Sequence, residues 1–186
     1  MNETFLAVGK TARTSGNWAQ VRAADQVTRY LRSGAGVPVL VLDVATSAGH
    51  ELDGATDVPA PDVGVWPELL TELPNHSRLI LPEIPTDGPR FTSWLRGFID
   101  GIGLAPVTLI ASGPICVSAM EFTLSDPERV QRLVLVPAGQ ADETWLSGVV
   151  RPTTSIAYVP MLVVRRNHPV DDACAVIRRF VGGEMP

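Results

Sequence analysis

The groups of this chain that could exchange a proton near neutral pH fall just past apolar, β-like runs. Asp43 closes the run VPVLVLDV and His50 lies in the loop after it. Glu83 and Asp87 follow RLILP, Ser112 follows VTLIA, and His168 follows MLVV. An imidazole titrates close to physiological pH, and a neighbouring carboxylate sets its proton affinity. His50 and His168 are therefore the candidate acid–base groups, with Glu83 as a third. A metal reading would combine the two histidines with Glu83 or Asp87, but their spacing establishes no convergence. No metal and no cofactor is expected. The competing reading of each group, taken singly, is a solvated loop residue on a sheet edge. His76, in the turn Pro74-Asn75-His76-Ser77, falls at the other end of its strand and reads as structural, and Asp57 and Asp62 read as loop surface.

For these groups to meet, the runs before them must be parallel strands. The stretch from Val107 to Val136 has the form such a sheet needs. Val107, Leu109 and Ile110 open a strand, Ser112-Gly113-Pro114 is a turn, and Cys116, Ala119, Met120 and Leu124 recur at helical spacing. Asp126-Pro127 stops the helix, and Val130 to Val136 is a second buried strand. A parallel strand–helix–strand unit follows. Val37 to Val44, Arg78 to Ile84 and Val159 to Val164 supply further strands. Trp66 to Leu73, Phe91 to Leu104 (Trp94, Leu95, Phe98, Ile99, Ile102) and Asp171 to Val181 (Ala175, Val176, Ile177, Phe180) supply helices. Val27 to Arg32 reads as a strand, and Ser33-Gly34-Ala35-Gly36 as a hairpin turn, because no helix follows it to make a phosphate loop. In residues 1 to 26 only Phe5, Leu6 and Val8 suggest a strand, so this part is an N-terminal arm or an edge hairpin. Ligands of open parallel sheets bind beyond the carboxyl ends of strands. The expected ligand-binding set is Asp43, Val44, Ala45, Asp87, Ser112, Gly113, Pro114 and Trp145.

The 186 residues suit one domain, and the net charge of -5 with a pI near 5.1 leaves no basic stripe for nucleic acid. Cys116 and Cys174 fit no metal-ligand spacing and read as buried small hydrophobes. The N-terminal stretch lacks the charged-then-apolar order of a signal, and no apolar run is long enough for a membrane span. A cytoplasmic protein follows by default. Fourteen Arg against the single Lys10 point to a G+C-rich coding sequence rather than to a function.

The stretch from Leu109 to Val136 resembles the nucleophile-elbow unit of the α/β-hydrolase superfamily, including its helix-ending phrase Asp126-Pro127-Glu128-Arg129-Val130 and the strand Leu133 to Val136. The resemblance runs on in Trp66 and Leu73, in Pro82-Glu83-Ile84-Pro85-Thr86-Asp87-Gly88, which is similar to the family's P-D-L-P-G-H-G, and in Val159 to Val164. It implies a mostly parallel α/β sheet with helices on both faces and, between Pro137 and Tyr158, a lid reduced or absent. Laid on the family's G-x-S-x-G, however, the elbow reads Ala111-Ser112-Gly113-Pro114-Ile115. Gly113 stands where the nucleophile belongs. Ser112 lies one position back, where strand alternation turns a side chain to another face. Asp43-Val44 replaces the His-Gly that leads to the oxyanion hole, Arg165-Arg166-Asn167-His168 stands where the triad acid is carried, and no histidine after His168 matches the family base.

Ser-His-Asp hydrolysis is therefore not expected. Members of this fold without a working triad include epimerases and lyases, the bottromycin peptide epimerase among them, and such chemistry needs a pocket and a proton carrier rather than a nucleophile. The resemblance thus implies a protein binding a small organic or peptidic carbonyl compound, as an epimerase, isomerase or lyase type tailoring enzyme of natural-product biosynthesis. The alternatives are a non-catalytic pseudo-hydrolase, acting as a ligand-binding or scaffold protein, and a decayed hydrolase copy. A small-molecule or peptide ligand is expected, without nucleic acid or membrane, and a homo-oligomer is compatible with the sequence.

Overall fold

Four apolar runs make the centre of the sheet, and their alternation divides the core in two. In the computed structural model the described residues are 4–6, 13–15, 17–43, 69, 72–73, 77–85, 91–137, 158–164 and 169–183. They form a two-stranded sheet, β1 (Thr4–Leu6) with β2 (Arg13–Ser15), and a seven-stranded sheet in the order β3 (Asn17–Ala23), β4 (Gln26–Ser33), β6 (Ser77–Pro82), β5 (Val37–Leu42), β7 (Val107–Ser112), β8 (Val130–Val136) and β9 (Met161–Val163). The strands from β6 to β9 in that order are parallel, and β3 and β4 are antiparallel additions at one edge. The helices are α1 (Phe91–Ile102), α2 (Ile115–Ser125) and α3 (Val170–Gly182).

Parallel strands buried on both faces are apolar at every position, and β7 is buried from end to end. Leu40, Leu42, Ile80, Leu109, Ala111, Leu133 and Leu135 pack with Trp94, Leu95, Phe98 and Ile99 of α1 and Cys116, Ala119, Met120 and Phe122 of α2. The intervening Val39, Val41, Leu79, Leu81, Ile110, Val134 and Val136 pack with Leu69, Leu73 and, from α3, Ala173, Cys174, Ile177, Phe180 and Val181. Each such large side chain, fully buried, contributes about 1.5–3 kcal/mol. Both cysteines are buried and unbridged. The helical spacing holds with two corrections: Leu124 and Val176, expected on apolar faces, are 40% and 37% exposed. Phe122 and Thr123 take the core positions of α2, because its apolar residues surround the axis and spacing alone cannot choose among them.

The N-terminal region also departs from expectation. Asn17–Ala23 is a strand, so Phe5, Leu6 and Val8 do not mark the only one before residue 26; Val8 lies outside the described residues. Half of its side chains face away from the core, which blurs the apolar pattern. It pairs with β4 through the two-residue turn Ala24-Asp25, where Ala24 takes φ 52°. Nor do residues 33–36 make a hairpin. Gly34 and Gly36 adopt positive φ, but β6 lies between β4 and β5, so the turn carries the chain across a strand.

Helix α1 lies directly on this edge. A Cβ on Gly97 would come 2.5 Å from the backbone nitrogen of Ala24, and one on Gly101 would come 2.6 Å from Cγ2 of Val21. One turn earlier, Trp94 Nε1 donates to Thr28 Oγ1 of β4 at 2.9 Å in the buried interior. Gly97 lets the helix meet the hairpin's main chain, and Gly101 makes room for the Val21 side chain. Among the described residues no helix is long and apolar enough to cross a membrane.

Candidate functional site

Parallel register decides which of the candidate groups can meet. Leu40 is level with Ile80 and Leu42 with Ala111. Three residues on from the first pair and one from the second, Glu83 and Asp43, just past β6 and β5, are level with Ser112, the last residue of β7. Neighbouring strands are about 4.8 Å apart, so the Cα atoms of Glu83 and Ser112 each stand roughly 5 Å from that of Asp43, which lies between them along the sheet edge. Alternation assigns all three to the face of Val41, Leu81 and Ile110. Asp43 and Ser112 are both buried, with 7% exposure.

Gly113 follows, with φ 60°. A residue with a Cβ is strained there, whereas glycine is not. Its N–H donates to Val136 O at 2.9 Å and its carbonyl accepts from Cys116 N–H at 3.1 Å, tying the turn to β8 and to the first turn of α2. Pro114, with φ -64°, enters the helix without losing a needed donor. The backbone thus makes a sharp strand-to-helix turn at the position read as the elbow. Cys116 lies below it, its Sγ 3.3 Å from Ala111 O.

Glu83 is joined to the antiparallel edge. Its N–H donates to Arg29 O at 2.9 Å, and its carboxylate lies 3.7 Å from the Arg29 guanidinium. Both side chains are close to half-exposed, so the ion pair is worth about 0–1 kcal/mol. Arg29 also stacks over Trp18, with its guanidinium carbon 4.8 Å from the ring centroid. Sequence reading passed over Arg29, because its neighbours become legible only once Asn17–Ala23 is recognised as a strand. Of the other expected site residues, His50, His168, Val44, Ala45, Asp87 and Trp145 lie outside the described residues. Among the described residues no three of His, Cys, Asp and Glu converge in a way that could hold a metal ion.

The opposite end of α2 carries a second polar cluster. Arg96 donates from Nε and Nη2 to the two oxygens of Asp126, both at 2.7 Å, and Ser125 Oγ donates to Oδ2 at 2.8 Å. Arg129 reaches Asp126 at 3.4 Å and Asp100 at 3.0 and 3.1 Å. The Arg96 hydrogen bonds hold the Asp126 carboxyl below its ordinary range against the opposing effect of burial, with Ser125 adding to the lowering. Asp126 starts the helix-ending phrase noted in the sequence, and its role here is to fasten α1 to α2. A small crevice at this end of the sheet, lined by Val37, Leu73, Ser77 and Val181, is bridged by Arg178 and Glu72 at 2.7 Å.

No protein-family model matches the sequence. No curated protein matches it either. Solved structures do. An epoxide hydrolase from Vigna radiata superposes with a TM-score of 0.50 at 16% identity, over 65% of this chain and 38% of that one. A candidate lipase from Acinetobacter baumannii superposes with a TM-score of 0.50 at 19% identity, over 71% of this chain and 48% of that one. The chain therefore matches less than half the length of either structure. At such identities the likeness concerns the fold, which is that of the α/β hydrolases.

Proposed function

We propose that this chain binds a small organic or peptidic carbonyl compound beyond its strand ends and isomerises it, as an epimerase, isomerase or lyase type tailoring enzyme of natural-product biosynthesis. Gly113 carries the reading: an elbow-like turn is kept at φ 60°, yet the residue in it has no side chain with which to attack a carbonyl. Proton transfer needs no such attack. A base removes the proton next to the carbonyl, the electron pair moves onto the carbonyl oxygen, and a proton returns to the other face of the carbon. The helix start at α2 favours the negative oxygen, and His50, His168 and Glu83 are the candidate carriers of the proton.

A second reading, a non-catalytic pseudo-hydrolase that binds a ligand or serves as a scaffold, draws on the same turn, since Gly113 brings no side chain that could react. Thermal-shift screening against peptidic and polyketide-like carbonyl compounds, followed by incubation of each binder in deuterium oxide, separates the two. Deuterium at a carbon next to the carbonyl is expected. Binding without exchange would favour the pseudo-hydrolase, and hydrolysis of a simple ester that disappears in Ser112→Ala would overturn both.

A further inference from the structure

The level of the parallel strand ends continues past Glu83 into the middle of the β3–β4 hairpin. Tyr30 is level with Pro82, so Arg29 stands level with Glu83, as the hydrogen bond between their backbones requires, and Gln20 pairs with Arg29 on the edge strand. The sequence from the edge inward is thus Gln20, Arg29, Glu83, Asp43, Ser112. From Arg29 to Ser112 it crosses three strand spacings, about 14 Å.

The Arg29 guanidinium is sparingly engaged. It rests over the Trp18 ring, and its one ion pair among the described residues, with Glu83 at 3.7 Å, is longer than a hydrogen bond. The side chain is 49% exposed. The planar fork of a guanidinium matches a carboxylate bidentately. A phosphate dianion would feel the neighbouring Glu83 and Asp43 more strongly, so a single negative charge fits better.

We propose that Arg29 anchors the terminal carboxylate of a peptide ligand, whose chain then runs along the strand ends toward Ser112 and Gly113. This rests on the strand-end reading above. An extended chain advances about 3.4 Å per residue, so the reacting carbon lies about four residues before the C-terminus.

The test compares Ac-Phe-Ala-Ala-Ala-Ala-Ala with a free and with an amidated C-terminus, using calorimetric titration of the full chain. The free acid is expected to bind about tenfold more tightly, the scale of a charge-assisted contact. Arg29→Met keeps an apolar stem over Trp18 and should abolish that preference while leaving the amide's affinity unchanged. Glu83→Gln removes a repelling charge and should tighten the acid severalfold. Circular dichroism confirms that each variant is folded. Equal affinity of acid and amide for the unaltered chain, or a preference that survives Arg29→Met, would overturn the anchor and leave the strand-end site standing. Binding of neither peptide would also overturn it. The site itself is judged separately, by deuterium exchange with uncharged carbonyl compounds.

Discussion

The two ends of α2 are built by opposite rules. At its C-terminal end Asp126 accepts hydrogen bonds from Arg96, Ser125 and Arg129, and Arg129 continues to Asp100. At its N-terminal end Gly113 is held by backbone alone, and the charged groups along that edge include a pair 3.7 Å apart with both partners substantially exposed. Engaged charges fasten helices, whereas loosely engaged ones remain open to a ligand. Stability is thus fastened at one end of this strand–helix unit, and the binding proposed above is assigned to the level of the other.

Asp126→Ala should break this contrast most strongly, lowering stability by about 3 kcal/mol in urea unfolding, since charge-assisted hydrogen bonds to a buried acceptor are worth about 1.5–3 kcal/mol. Its pH signature has a definite sign. The folded pKa is depressed, so this stabilisation is present above the carboxyl's unfolded pKa of about 3.9 and is lost as pH falls through the lower folded value. Acid titrations of stability should therefore differ between the unaltered chain and Asp126→Asn, the variant losing less below about pH 4.

Gly113→Ala should cost less, about 1–2 kcal/mol, because it places a Cβ at positive φ without removing a polar partner. A stabilising effect in thermal unfolding would mean that the turn relaxes to negative φ. Glu83→Gln should change stability by less than about 0.5 kcal/mol, as an exposed ion pair requires. A loss comparable to that of Asp126→Ala would erase the distinction between the ends.

Much of this architecture is legible in the residues, because apolar runs such as VPVLVL and VTLIAS have few alternatives to a parallel strand. The positive φ of the turn after β7 is foreshadowed by the glycine at position 113. What the sequence hides depends on contacts distant along the chain. Asn17–Ala23 alternates weakly because it is an edge strand, and Arg29 acquires significance only from Trp18 and Glu83 on either side. The turn 33–36 looks like a hairpin locally, and only the insertion of β6 between β4 and β5 overrides that reading. Arg96 and Asp126 are thirty residues apart and share no local signature.

The glycines of α1 have a mechanical consequence for this site. Gly97 and Gly101 bring the helix against the main chain and Val21 of the β3–β4 hairpin at distances where even one added carbon would collide. At Gly97 the helix meets main chain, with no side-chain rotamer in the seam to take up a displacement. Were a ligand to dock on Trp18 and Arg29 as proposed, this close seating of the hairpin would leave the protein little freedom to lose.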